Sequence, residues 1–108
     1  MRRRGRVDQN QKEIVAALRE AGARVESLAN LGGGVADLLV NYPPWPLTGD
    51  LYLLEVKAGP KEPLTPLERE WHVRWPVRIV TSPLEALVAV GAVPAVRLVA
   101  SDENARGR

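Results

Sequence analysis

Hydrophobic residues follow helical spacing at the start of the 108-residue chain and strand-like spacing further on. In residues 8–22, Ile14 and Leu18 are four positions apart and lie on one face of a predicted α-helix. Asp8 or Asn10 is suited to cap the beginning of this helix, because a short polar side chain can accept a free backbone N–H. The pattern therefore predicts an opening amphipathic helix.

Four later stretches read as strands, because they are rich in β-branched residues or alternate between apolar and polar ones. They are residues 23–30, 35–42, 50–59 and 77–82, and a short final strand is predicted at 93–101. Between the second and third strands, residues 43–50 contain three prolines and one glycine. This composition is typical of a hairpin loop, so the second and third strands are predicted to pair.

Two further helices are predicted from the capping patterns at their first residues. Thr65, Pro66 and Glu68 form the pattern of a capping box, and Ser82 and Glu85 repeat it. The predicted order is α-β-β-β-α-β-α, with a possible last strand. This order indicates an α/β fold with a mixed central sheet flanked by helices.

The composition limits the kinds of metal site that the chain can form. The chain is 45% hydrophobic, which is enough for one domain with its own core. There is no cysteine and a single histidine, so a thiolate or multi-histidine metal site is excluded. A metal ion would have to be bound by oxygen atoms, which favours hard cations such as Mg²⁺ or Mn²⁺.

Positive charge is concentrated at the beginning of the chain. Residues 1–6 carry four arginines and no acid, whereas residues 7–100 carry nine basic and 11 acidic residues. The arginines are Arg2, Arg3, Arg4 and Arg6. We expect residues 1–6 to form a basic arm that either binds phosphates or only solubilises the chain. Residues 101–108 are expected to form a flexible tail. No apolar run is long enough to span a membrane, and a cytoplasmic protein is expected.

The predicted strand at 50–59 carries opposite charges within an apolar context. Glu55 and Lys57 point to one face of this strand, and Val56 points to the other. Pairing with the second strand brings Asp37 near Glu55, and two adjacent carboxylates repel each other unless a cation lies between them. The set suits metal-assisted phosphodiester hydrolysis. The alternative is an ordinary salt bridge on a solvent-facing strand.

The ordered set of a first helix that contains a glutamate, then "GGGVADLLV", then "YLLEVKAG" resembles the PD-(D/E)XK nuclease superfamily. The resemblance covers residues 7–91 and is closest to the small single-domain branch, which includes VRR-NUC nucleases and is similar to Holliday-junction resolvases. It implies a restriction-endonuclease-like core and a single nuclease domain over residues 7–100.

The resemblance also implies functional residues. The catalytic residues are Glu13, Asp37, Glu55 and Lys57, and the metal-binding set is Asp37, Glu55, Val56 and Glu13, with Mg²⁺ or Mn²⁺ as the ion. Glu13 lies at the edge of the apolar helix stripe, where it either reaches a cleft or is only a solvent charge. The sequence departs from the family pattern at Ala36, where the motif has proline, and at Glu68 or Arg69, where many members have glutamine.

The implied activity is cleavage of DNA, branched or four-way DNA above all, by a homodimer with one site per chain. The expected DNA-binding residues are Arg2, Arg3, Arg4, Arg6, Gly33 and Gly34. Trp71 and Trp75 pack internally or, with residues 84–100, line a dimer face, and Trp45 is exposed to DNA or a partner. His72 is interpreted as a surface or helix-edge residue.

Three other functions remain open. They are a VRR-NUC-type nuclease acting on another branched or nicked DNA, a DNA-binding or phage-assembly module without activity, and a tRNA-processing or restriction enzyme.

Overall fold

A four-stranded mixed sheet organises the chain, with helices on both of its faces. The computed structural model describes the backbone of residues 2–94 and the side chains of residues 7–94. The elements are α1 (Arg2–Glu20), β1 (Arg24–Ser27), a 3₁₀ turn (Ala29–Leu31), β2 (Leu38–Asn41), β3 (Leu51–Val56), α2 (Pro66–Arg74), β4 (Val77–Val80) and α3 (Pro83–Ala89). The predicted α/β class and the order α-β-β-β-α-β-α are confirmed. The tail at 101–108 and nearly all of the predicted last strand lie outside the described residues.

The strands follow one another in sequence order across the sheet, β1-β2-β3-β4. The first three strands are antiparallel, and β4 runs parallel to β3 after the crossover through α2. In the predicted hairpin, Leu38 pairs with Leu54 and Asn41 pairs with Leu51. The next positions at the end opposite the loop are Asp37 and Glu55, so this register places the two carboxylates side by side.

The hydrophobic core lies on one face of the sheet. Ile14 and Leu18 of α1 are fully buried there, together with Ala86 of α3. They pack against alternate strand residues, namely Val25, Leu38, Val40, Leu54, Val56 and Val80. Burial of this apolar surface is the main term that stabilises the fold. Glu55 and Lys57 point to the opposite face, where α2 lies over them.

The opening helix starts earlier than its apolar pattern indicates. It begins at Arg2, so Asp8 and Asn10 lie within it and neither caps its start. Residues 1–6 contain no apolar periodicity to read, yet arginine is a good helix former. The helix ends at Glu20, close to the end of the predicted range at residue 22. Gly22 has a φ of 100°, and its N–H donates to the Arg19 carbonyl at 3.0 Å.

The two predicted capping boxes differ in the structure. In α2, the Thr65 hydroxyl accepts from Glu68 N–H and the Glu68 carboxylate accepts from Thr65 N–H, which completes the box. In α3, the Ser82 hydroxyl accepts from Glu85 N–H, but the Glu85 carboxylate turns to the N–H and hydroxyl of Thr81 instead. The second box is therefore only half of the predicted motif. None of the helices in the described part of the chain is long and apolar enough to cross a membrane.

Candidate active site

Asp37 is held against β3 by its own side chain. Its Oδ2 atom accepts a hydrogen bond from the Val56 N–H at 2.7 Å. Its backbone carbonyl accepts from Leu28 N–H at 2.8 Å, which ties it to the turn after β1. Burial raises the pKa of Asp37 above its ordinary value, against the lowering effect of the Val56 hydrogen bond. The carboxylate is thus fixed in position at the point where β2 begins.

Glu55 is buried next to Asp37, with 3% of its side chain exposed. The two carboxyl groups lie within hydrogen-bonding reach of each other. Burial raises the pKa of Glu55 to about 9, and the negative charges of Asp37 and Glu68 add to the effect. Such a pair needs either a shared proton or a cation to be stable. The predicted proximity of Asp37 and Glu55 is present.

Lys57 lies within a group of carboxylates. Its Nζ atom donates to Glu68 Oε1 at 2.8 Å and lies 3.7 Å from Glu62 Oε2 and 3.8 Å from Glu55 Oε2. Only 5% of the Lys57 side chain is exposed, so the solvent-facing salt bridge considered from the sequence is wrong. Burial alone would lower the pKa of Lys57, but the Glu68 hydrogen bond and charge outweigh it and raise that pKa. The lysine is therefore held as a cation.

Glu68 has a second function that the sequence pattern did not suggest. The oxygen that closes the capping box, Oε1, accepts from both Thr65 N–H at 2.9 Å and Lys57 Nζ at 2.8 Å. Burial would raise the pKa of Glu68, but the hydrogen bond from Lys57 reverses this and lowers it. Glu68 thus links the first turn of α2 to the charged strand β3.

His72 faces the charged cluster, so of the two predicted positions, at the surface or at a helix edge, the surface position is wrong. Its side chain is 11% exposed, and Nε2 lies 3.6 Å from Glu55 Oε1. Burial lowers the pKa of His72. His72 follows Glu68 by four positions on α2, which places both on the helix face that covers β3. The spacing of four positions was the signal available in the sequence. It identifies His72 as a neighbour of the charged strand only when the face of α2 that covers β3 is known.

Asn10 is a further residue that sequence reasoning assigned differently. Its Nδ2 atom donates to the Lys57 carbonyl at 2.8 Å and to the Thr81 carbonyl at 2.9 Å. These carbonyls directly follow the parallel strands β3 and β4, where the strand-to-strand ladder ends. Asn10 thereby joins the ends of the two strands beside the charged cluster.

Glu13 is not joined to the cluster in the described part of the chain. It is exposed on α1, and its Oε2 accepts from Gln9 Nε2 at 3.1 Å, one turn earlier. Val56 lies between Glu55 and Lys57 with its side chain in the core. The catalytic role of Glu13 and the metal-binding role of Val56 stay predictions. So do the DNA contacts of the arginines at 2–6, whose side chains lie outside the described residues.

Two of the three tryptophans stack on each other, and the third is exposed. Trp71 and Trp75 stack with ring centroids 5.1 Å apart, and Trp45 is 65% exposed in its loop, as expected.

Gly34 approaches the beginning of α2 so closely that an added Cβ would lie 2.3 Å from the Leu67 carbonyl. This contact sets the spacing between the Asp37 segment and the helix that carries Glu68.

We expect Gly34→Ala to destabilise the protein more than Gly33→Ala. Both glycines have positive φ angles, 83° and 66°, so each alanine pays roughly 1–2 kcal/mol for its backbone conformation. A Cβ at Gly33 meets nothing within 4 Å, whereas one at Gly34 collides with backbone atoms. Gly34→Ala should therefore cost at least about 1 kcal/mol more in urea unfolding. Equal losses for the two variants would refute the packing role of Gly34.

The stability of metal-free protein should fall as the pH rises from about 6 to about 8. Glu55 titrates at about 9 in the fold instead of at 4.5, so the folded state keeps a proton that the unfolded chain releases. Between these values the free energy of unfolding declines, by up to about 1.4 kcal/mol per pH unit. Urea unfolding in EDTA measures the decline. The Glu55→Gln variant should show a flatter profile, and an equally steep profile in both proteins would contradict the assignment.

The residues present fit a hard divalent cation. Asp37 and Glu55 offer carboxylate oxygens, and a cation between them would offset the burial that raises the pKa of both groups and the Asp37 charge that adds to the rise at Glu55. Within the described residues, no group of three or more acidic or histidine side chains converges as a preformed cage. Mg²⁺ does not require one, because it binds through one or two carboxylates and completes its shell with water and substrate phosphate.

Comparison of the sequence with family models and with curated proteins gives no match. Among solved structures, the chain is similar to one described as a VRR_NUC domain, with a TM-score of 0.61 and 24% sequence identity. The superposed region covers 77% of this chain and 94% of that one. The chain therefore shares the fold of that VRR_NUC domain, in agreement with the fold that the resemblance carried by Asp37, Glu55 and Lys57 implied.

Proposed function

We propose that this protein is a metal-dependent endonuclease that hydrolyses phosphodiester bonds in DNA. The observation that carries the proposal is the buried Glu55 with the half-buried Asp37 next to it, beside the buried cation of Lys57. Two carboxyls in mutual reach reduce the stability of the metal-free fold, so a purely structural role does not explain them. The likeness to a VRR_NUC domain supports the same function at the level of fold.

Each residue then has a separate task. A divalent cation, when bound, polarises the scissile phosphate and lowers the pKa of water. Asp37 and Glu55 would hold that cation, because Asp37 is fixed by Val56 N–H and Glu55 by its position in β3. Lys57 donates one N–H to Glu68 at 2.8 Å. Its other carboxylate neighbours, Glu62 and Glu55, are farther away at 3.7 and 3.8 Å. Its remaining donors can orient the attacking water or a phosphate oxygen.

The proposed substrate is branched DNA, with the four-way junction as the first candidate. DNA shape would provide the selectivity. Arg2, Arg3, Arg4 and Arg6 would contribute affinity for phosphates, and Gly33 and Gly34 would allow the DNA backbone to approach the site.

We further propose that the protein acts as a homodimer. Resolving a junction requires two cuts, and the described part of each chain provides one candidate site, so a two-fold pair would place two sites on one substrate. The face of the sheet that carries the site also has a groove of about 520 Å³. Leu51 and Trp75 line this groove and are 68% and 50% exposed. Apolar exposure of this kind suits an interface between copies.

The proposal is tested by incubating the purified protein with labelled linear, nicked, flap and four-way DNAs. Mg²⁺, Mn²⁺ and EDTA are compared in parallel. We expect cleavage only with a divalent cation, and preferentially of branched DNA. Light scattering should give about twice the chain mass of 11.8 kDa. Cleavage in EDTA, or none with any substrate and cation, would refute the proposed activity. A monomer that cleaves only flaps or nicks would refute the junction preference alone.

A further inference from the structure

Two buried polar atoms face each other without a hydrogen-bond partner. They are Glu55 Oε1 and His72 Nε2, and within the described residues they are the buried side-chain atoms that lack one. Buried polar groups are nearly always paired, so each unpaired atom requires an explanation. Their separation of 3.6 Å exceeds hydrogen-bond length by less than 1 Å. A small rotation of either side chain would close the pair.

The surroundings of His72 connect it to the reactive strand. Glu68 and His72 lie one turn apart on α2 and face Lys57 and Glu55, which lie on one face along β3. Besides Glu55, the charged groups around His72 are Glu68, Lys57 and Asp37. Helix α2 thus contacts both charged members of the strand, through Glu68 at one and His72 at the other.

We propose that His72 is a positioning residue, whose Nε2–H donates to Glu55 Oε1 and fixes that carboxylate for cation binding. The inference rests on the proposed function, since it assigns a partner to one of the proposed metal ligands. A ligating carboxylate is commonly held by a hydrogen bond from a neighbouring residue, which sets its orientation. His72 Nε2 is the only buried side-chain nitrogen without a partner in the described residues, and it faces the one buried side-chain oxygen that also lacks a partner.

Calorimetric titration of metal-free protein with Ca²⁺ and Mn²⁺ tests this role without measuring cleavage. His72→Leu removes the donor and should weaken cation affinity by about 10- to 100-fold. His72→Gln keeps an N–H donor and should bind within a few-fold of wild type. Val73→Gln alters the neighbouring residue, which is 82% exposed, and should bind like wild type.

Thermal unfolding in EDTA separates positioning from folding. His72→Leu should melt at or above the wild-type temperature, because it removes a buried atom that has no partner. Weakened cation binding then cannot come from a damaged fold. In nitrogen NMR of the Ca²⁺-loaded wild type, Nε2 should carry a proton. A deprotonated Nε2 would indicate direct ligation and overturn the inference.

Failure of the inference and failure of the proposed function give different results. If wild type binds the cations and His72→Leu binds them equally well, the positioning role is wrong and the metal site stands. If wild type binds neither cation, the proposed metal site is refuted, and the role of His72 with it.

Discussion

Replacing Glu55 with Gln, or Asp37 with Asn, should abolish DNA cleavage while leaving the protein folded. A bound cation contributes several kcal/mol of charge stabilisation in the transition state, so losing it should lower the rate at least about 10³-fold. The fold should persist, because Asn can still accept from Val56 N–H, and Gln resembles the protonated, neutral Glu55 that a pKa of about 9 implies for the metal-free protein. Single-turnover cleavage and urea unfolding measure the two effects.

Glu70→Gln is the matched control for these variants. Glu70 is an exposed acid on α2, and the same acid-to-amide change there should leave both rate and stability unaltered. Cleavage near the wild-type rate by Glu55→Gln or Asp37→Asn would remove those residues from the active site. Unfolding of Asp37→Asn would instead show that the carboxylate charge, and not only its oxygen, holds β2 to β3.

Lys57→Met should destabilise the protein by about 3–5 kcal/mol as well as eliminate most activity. Removing one partner of a buried ion pair leaves the other charge uncompensated, and Glu68 depends on Lys57 for its lowered pKa. The urea midpoint of metal-free protein measures the first effect, and single-turnover cleavage measures the second.

The double variant Lys57→Met/Glu68→Gln separates the two roles of the lysine. It removes the stranded charge and keeps a side-chain oxygen for the capping box, so much of the lost stability should return. Activity should not return, because the donor to phosphate or water is still missing. Recovery of cleavage in the double variant would mean that Lys57 acts only as a counter-ion for Glu68.

The proximity of Asp37 and Glu55 could be predicted because it depends on local rules. A proline-rich loop implied a hairpin, and the period of two in a strand then assigned each residue to a face. The same rules placed Glu55 and Lys57 on one face. The close approach of Gly34 to α2 was not predicted, because it depends on a contact between segments distant in sequence.

His72 and Asn10 were misassigned because their roles depend on how helices are placed over the sheet. The spacing of Glu68 and His72 indicates that they share a helix face, but not which strand lies beneath it. Asn10 was a reasonable N-cap by residue type. Because α1 begins at Arg2, Asn10 lies within the helix, and its side chain instead donates to the Lys57 carbonyl. A capping box would have paired the Glu85 carboxylate with Ser82 N–H, but local geometry pairs it with Thr81 instead.

The division of the sheet into an apolar face and a charged face has an evolutionary consequence. Leu54 and Val56 support the core, whereas Glu55 and Lys57, their immediate neighbours, make no contribution to it. Mutations in the charged set therefore leave the packing of the interior unchanged, and their cost in stability is limited when both partners of an ion pair change together. A descendant of this chain could exchange its chemistry, or lose it and survive as a binding protein, while inheriting the same scaffold.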